Sequence, residues 1–305
     1  MQQPQQAPWI DQLGDWNPQL LRELRGRLKP RSVIAAIALS AIGQLLLFLI
    51  IDKLPNQSKW LNIWRSFTYG LPFLLLILGS YLIVSDLTHE ENRGTLNFIR
   101  LSPRPAWQIL LGKILGVPTL LYLAIVLAIP LHLIAAVAAG LPSELTLSFY
   151  LLLLASCILC YSAAMLYSLI AVPKPGAASW QFTAGISFVA IAFSLGFVIA
   201  FYFWSFTVAW RSLDNFPEIF GYSLADQRFW FYLDISQNFW LAHAFTLINL
   251  AIGTALIWRV LLRYFRQPRS SVLSKKQASE LPDCSLSRSV FLGLLALPRF
   301  GRESP

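Results

Sequence analysis

Apolar residues in this chain come in six long unbroken runs, and the charged residues are gathered into the segments between them. No Asp, Glu, Lys or Arg interrupts Val33 to Ile51, Phe67 to Ser85, Ile114 to Ala139, Leu147 to Val172, Trp180 to Trp210 or Phe239 to Trp258. Each run has at least 19 residues, and a helix needs about 20 apolar residues to cross roughly 30 Å of hydrocarbon. The pattern predicts an all-α integral membrane protein with six transmembrane helices over residues 31–265. Pro118 and Pro130 lie inside the third run and predict a kink there. Leu141-Pro142-Ser143 and Pro173-Lys174-Pro175-Gly176 read as turns that make consecutive spans antiparallel.

Three segments outside the runs have their own patterns. Residues 1–16 are Gln- and Pro-rich at their start and predict disorder. Residues 17–30 predict an amphipathic helix, with Asn17 as cap and Pro18 in the first turn. Leu20, Leu21, Leu24 and Leu28 share one face of it, and Arg22, Arg25 and Lys29 another, so the helix is expected to lie in the plane of the membrane surface. Between the fifth and sixth runs, Arg211 to Asn238 mixes Asp214, Glu218, Asp226 and Asp234 with seven Phe, Tyr and Trp side chains. It reads either as short helices capping the outer leaflet or as an aromatic belt. Residues 266–305 form a basic tail whose VFLGLLAL patch is too short to span.

Charge orients the bundle. Of 24 Lys and Arg, five precede Val33, four lie between Asp86 and Lys113, one is Lys174 and nine follow Trp258, leaving five for the opposite side. This bias predicts both termini in the cytoplasm and insertion in the plasma (inner) membrane, with a cytoplasmic face suited to anionic lipid rather than nucleic acid. Cys157 and Cys160 read as small apolar packing residues, because no His or acid is near them in sequence to share a metal.

Catalytic patterns are missing. The chain has no G-x-x-x-x-G-K-[ST], H-E-x-x-H or G-x-S-x-G, so neither an enzyme nor a nucleotide-binding or metal cofactor is expected. His132 and His243 are the only titratable His within the runs. Either relays a proton or simply packs against a neighbouring helix, and a proton-coupled carrier would need the first. If substrate moves, the energy is expected from another subunit.

The segment Asp86 to Lys113 holds three acids, four bases and two prolines and cannot sit in hydrocarbon. Its text, Glu90-Glu91, Arg93-Gly94-Thr95-Leu96, then Leu101-Ser102-Pro103, Trp107 and Ile109-Leu110-Leu111-Gly112-Lys113, resembles the cytoplasmic loop between the second and third spans of type-2 ABC transporter permeases. The six-span layout, the amphipathic helix before the first span and the aromatic segment before the last are similar to that family too. The resemblance covers roughly residues 17–265. It implies a coupling helix that docks on a separate ABC ATP-binding subunit through Glu90, Glu91, Arg93, Gly94, Thr95 and Leu96. It further implies a dimer with a second permease copy or paralogue, ATP bound by the partner and not by this chain, and export. Asn92 and Phe98-Ile99-Arg100 depart from the family text. The rival reading is a non-transporting membrane scaffold or assembly protein with the same fold.

Overall fold

The computed structural model describes residues 14–53, 59–171, 180–206, 210 and 238–266. The expected turn at 173–176, most of the aromatic segment 211–238, the start of the N-terminus and the tail after 266 lie outside them. Helix α1 is Pro18–Arg27, α2 Pro30–Asp52, α3 Lys59–Asn92, α4 Thr95–Arg100, α5 Ala106–Gly116, α6 Thr119–Ala138, α7 Ser143–Ala171, α8 Trp180–Trp204 and α9 Phe239–Arg266. All of α2, α3, α6, α7 and α9 and most of α8 are long and apolar enough to cross a membrane, which makes six candidate spans.

The outermost of these helices shows what solvent the bundle needs. Ile34, Leu39, Ile42 and Ile50 of α2 are each more than half exposed, and between Val33 and Ile51 the helix is apolar around its whole circumference apart from Ser40 and Gln44. Those two face α6, where Ser40 Oγ donates to the Ala124 carbonyl at 2.8 Å and Gln44 Nε2 to the Leu127 carbonyl at 3.3 Å. A helix with no core-facing stripe and this much bare apolar surface is stable in hydrocarbon and not in water.

The interior is closed by α7, which packs along α3 and α9. Within α3, Pro72 removes a backbone donor, and the next turn, Leu74–Leu78, widens into a π-helix. The Leu75 carbonyl there accepts the Tyr161 hydroxyl of α7 at 2.7 Å. Gly79 leaves the room, since a Cβ at that position would overlap the buried Tyr161 ring. One turn on, Ser80 Oγ and Cys160 Sγ lie 3.3 Å apart, and both Cys157 and Cys160 are buried free thiols.

Proline breaks the third apolar run in two. The run starts at Ile114, yet α5 ends at Gly116 and the span begins only at Thr119. Pro118 has no N–H to give the Ile114 carbonyl, and its ring crowds the preceding turn. The Tyr122 hydroxyl donates to Ile114 instead, at 2.9 Å, and Thr119 Oγ1 takes the Gly116 carbonyl at 2.7 Å. In hydrocarbon each such carbonyl left bare would cost several kcal/mol, so side chains refill the ladder.

Gly79→Ala is expected to destabilise the protein by roughly 1–3 kcal/mol, the usual cost of overfilling a packed site. A melting temperature in detergent equal to that of the parent would show that Tyr161 can retreat and that the π-turn is not locked.

Candidate functional site

Most ion pairs among the described residues collect where α1, α4, α5 and the last two turns of α3 meet. Helix α1 starts as its sequence dictates: Asn17 Oδ1 accepts from the Leu20 amide at 3.0 Å and Pro18 takes the first turn. The same Asn17 side chain donates through Nδ2 to the Gln108 carbonyl of α5 at 2.7 Å, so the cap is also a tether. Along α5, Gly112 and Gly116 stand one turn apart and give α1 a flat bed. A Cβ on Gly112 would come within 2.9 Å of Asn17 Oδ1 and the Leu20 amide nitrogen, and one on Gly116 within 2.5 Å of Glu23 Cβ. Two glycines four residues apart permit this approach of backbones, and almost any side chain in their place forbids it.

Close approach brings Glu23 to Lys113. The Lys113 side chain is 1% exposed, and its Nζ lies 2.6 Å from Asp86, 2.8 Å from Glu90 and 3.1 Å from Glu23. Arg27 pairs with Asp86 at 2.5 Å and with Glu23 at 3.3 Å, and Arg22 with Glu90 at 2.7 Å. Three carboxylates thus share three cations across three helices. The carboxylates are close enough together to ligate a metal, but the ammonium group sits among them and serves as their cation. Burial opposes the charge on Lys113, and the carboxylates of Asp86, Glu23 and Glu90 outweigh it, holding the amine above its ordinary value. Burial likewise pushes the Glu23 carboxyl up, but Lys113 and Arg27 more than reverse this and hold it below the usual range.

Beyond the cluster the chain turns at Arg93-Gly94. Gly94 has φ +71°, a left-handed conformation that favours glycine, and Thr95 Oγ1 donates back to the Glu90 carbonyl at 3.1 Å. Short helix α4 then buries Leu96 and Ile99 while Phe98, and Leu101 just past its end, stand 78% and 82% exposed. Arg100 ties it down, 3.5 Å from Glu91 and over the Phe265 ring of α9 at 5.7 Å.

The six residues named for partner contact are therefore dispersed in role. Arg93 and Thr95 are exposed and Gly94 forms the turn, whereas Glu90 and Glu91 are engaged in ion pairs within the chain and Leu96 belongs to the core. Arg22 and Arg25 of α1 and Lys29 just beyond it are all exposed, with Arg22 reaching Glu90. Glu23 and Arg27 did not stand out in the sequence, and Asp86 and Lys113 marked the ends of a segment without being read as partners. The readable signal was the four-residue spacing of Gly112 and Gly116 around a lysine, next to an amphipathic helix with one acid on it.

At the opposite end both histidines are held by neighbouring helices. His132 is fully buried, with Nδ1 2.7 Å from the Tyr150 hydroxyl, Nε2 3.4 Å from Thr68 Oγ1, and the Trp64 ring stacked on it at 5.8 Å. His243 meets Ser148 and the Phe239 carbonyl, and Ser148 also accepts from the Trp210 indole at 2.8 Å.

Lys113→Met would leave three carboxylates around an apolar side chain and is expected to cost about 3–5 kcal/mol, the range for breaking a buried ion pair on one side. Gly116→Val should free α1 while leaving the spans folded, seen as faster tryptic cleavage at Arg22 and Arg25 with little change in helical content. For pH the signs oppose: the lowered Glu23 contributes stability above its unfolded value near about 4.3, which is lost as pH falls through the folded one. The raised Lys113 contributes below about 10.4 and loses its share as pH rises through the folded value. Tryptic protection of α1 is thus expected to be flat from about pH 5 to 9, and a steady slope across that range would contradict the pairing.

Comparison with protein-family models, with curated proteins and with solved structures matches nothing, so fold and site stand on the chain's own residues.

Proposed function

We propose that this chain is the membrane-spanning permease half of a type-2 ABC transporter. It works as a dimer with a second permease copy or paralogue and exports a substrate with energy from a separate ATP-binding subunit. In this reading the charged end of the bundle faces the cytoplasm together with both termini, in the plasma membrane. The observation that carries the proposal is the form of α4. It is a short helix turned out at Gly94, exposing Phe98 and Leu101 to solvent while its inner face and both flanks are anchored by buried side chains and ion pairs. An exposed aromatic and leucine beside Arg93, on a rigid base, make a surface that a partner can grip and release.

Its mechanical consequence follows from the cluster. A partner closing on α4 pulls on α3 through Gly94 and on α5 through the segment Leu101–Pro105, and both helices are locked to α1 through Lys113. Because Pro30 opens α2 two residues after the last capping turn of α1, the displacement passes to a third helix. Nucleotide can shift the permease between states only by its differential affinity for them.

Leu101→Glu and Arg93→Glu test this without disturbing the cluster, since both side chains are exposed. With an ABC ATPase encoded in the neighbouring reading frame and co-expressed, each is expected to reduce co-purification and stimulated ATP hydrolysis by roughly tenfold or more, the size of a contact hot spot. Unchanged binding and rate in both variants would remove α4 as the docking element. Binding by the parent chain with no stimulation of hydrolysis would favour the scaffold reading.

A further inference from the structure

Between α1, α4 and α5 lies a groove of about 430 Å³ that shares Arg22 with the ion cluster and Phe98 with the exposed tip of α4, and whose other polar groups neither feature uses. We propose that it binds the phosphate head of an anionic phospholipid. Arg22 and Arg104 both line it, and no Asp or Glu does. Among the described residues Arg104 enters none of the ion pairs of this end of the molecule, so its guanidinium is available for the bidentate phosphate contact that arginine geometry suits. Ser102 and Gln108 supply polar groups at the same place, and the Gln108 side-chain oxygen is buried without a hydrogen-bond partner. A glycerol or ethanolamine head carries donors that match such an acceptor.

The choice of an amphiphile over a soluble anion comes from the walls and the level of the groove. Ile99 and Ile109 form its apolar side. The two helices that flank it lead straight into spans, α1 into α2 at Pro30 and α5 into α6 at Thr119. Trp16 and Trp107, the chain neighbours of the lining residues Asn17 and Gln108, are 48% and 44% exposed, and exposed indoles near apolar spans suit headgroup depth. A lipid seated there has its phosphate on Arg104 and on the Arg22 donors that the pair with Glu90 leaves over. It would bridge α1 to α4 whether or not the protein transports.

The test is retention of lipid by the purified full-length chain in detergent, read by native mass spectrometry with dioleoyl phosphatidylglycerol or dioleoyl phosphatidylcholine added. One phosphatidylglycerol is expected to be held with roughly tenfold or greater preference. Arg104→Glu should abolish that preference, Arg104→Lys should keep most of it, and Arg259→Glu, an equal charge change on the exposed side of α9, should leave it intact. Equal retention of the two lipids, or a loss with Arg259→Glu as large as with Arg104→Glu, would overturn the site. Displacement by millimolar glycerol phosphate would make the ligand a soluble phosphate and refute the lipid. Loss of a co-expressed ATPase with Arg104→Glu in the absence of any lipid preference would identify the groove as a protein contact and equally refute it.

Discussion

A lysine ammonium with 1% of its side chain exposed has to be surrounded by acids, and Lys113 draws three helices together for that reason. Removing that group and its three carboxylates from water costs several kcal/mol per ion, which only good geometry and full pairing offset. Hence α3 must continue as a helix through Asp86 and Glu90 instead of dissolving into a loop after its apolar stretch, and α1 must come near enough to deliver Glu23. The glycines at 112 and 116 are what make that distance possible. Arg22 and Arg27 balance the remaining charge, so the cluster is neutral as a whole and each member depends on the others. Such a cluster contributes less to net stability than to uniqueness: few other placements of α1 satisfy all six groups.

The rest of the bundle obeys the same rule with uncharged groups. Proline frees the Ile114 carbonyl and Tyr122 takes it, while the widened turn in α3 presents the Leu75 carbonyl to Tyr161. Ser40, Gln44, Thr246 and Ser148 make similar short polar links between spans. These links stand where hydrophobic burial cannot drive association, since lipid is as apolar as leucine. They give the bundle a defined packing that can transmit displacement.

The proposed function rests on the contrast between the two ends. Among the described residues, His132 and His243 are packed against aromatic rings, whereas the charged end carries a locked frame with the open tip of α4 and, sharing Phe98 with it, the arginine-lined groove. In the proposed reading, a partner on the tip and a lipid in the groove would act on one rigid unit and bias the same motion.

Much of this was legible in the residues. Uninterrupted apolar length alone marks six helices, because the hydrocarbon thickness sets a length that few other structures require, and Asn17-Pro18 specifies the start of α1 through purely local chemistry. The leucines of α1 suggest a helix resting on lipid; in the structure Leu20 and Glu23 are buried where Gly112 and Gly116 of α5 come close, while Leu28 stays exposed. The acids of the Asp86–Lys113 segment looked like an outward-facing docking surface, and Glu90 is turned inward. Helical periodicity says which residues share a face, and charge counts say which side of the membrane that face prefers. Neither says which acid meets which base when they are 27 or 90 residues apart. The pairing of Lys113 with Asp86 and Glu23 was decided only in three dimensions, by two missing side chains on α5 that let another helix come within reach.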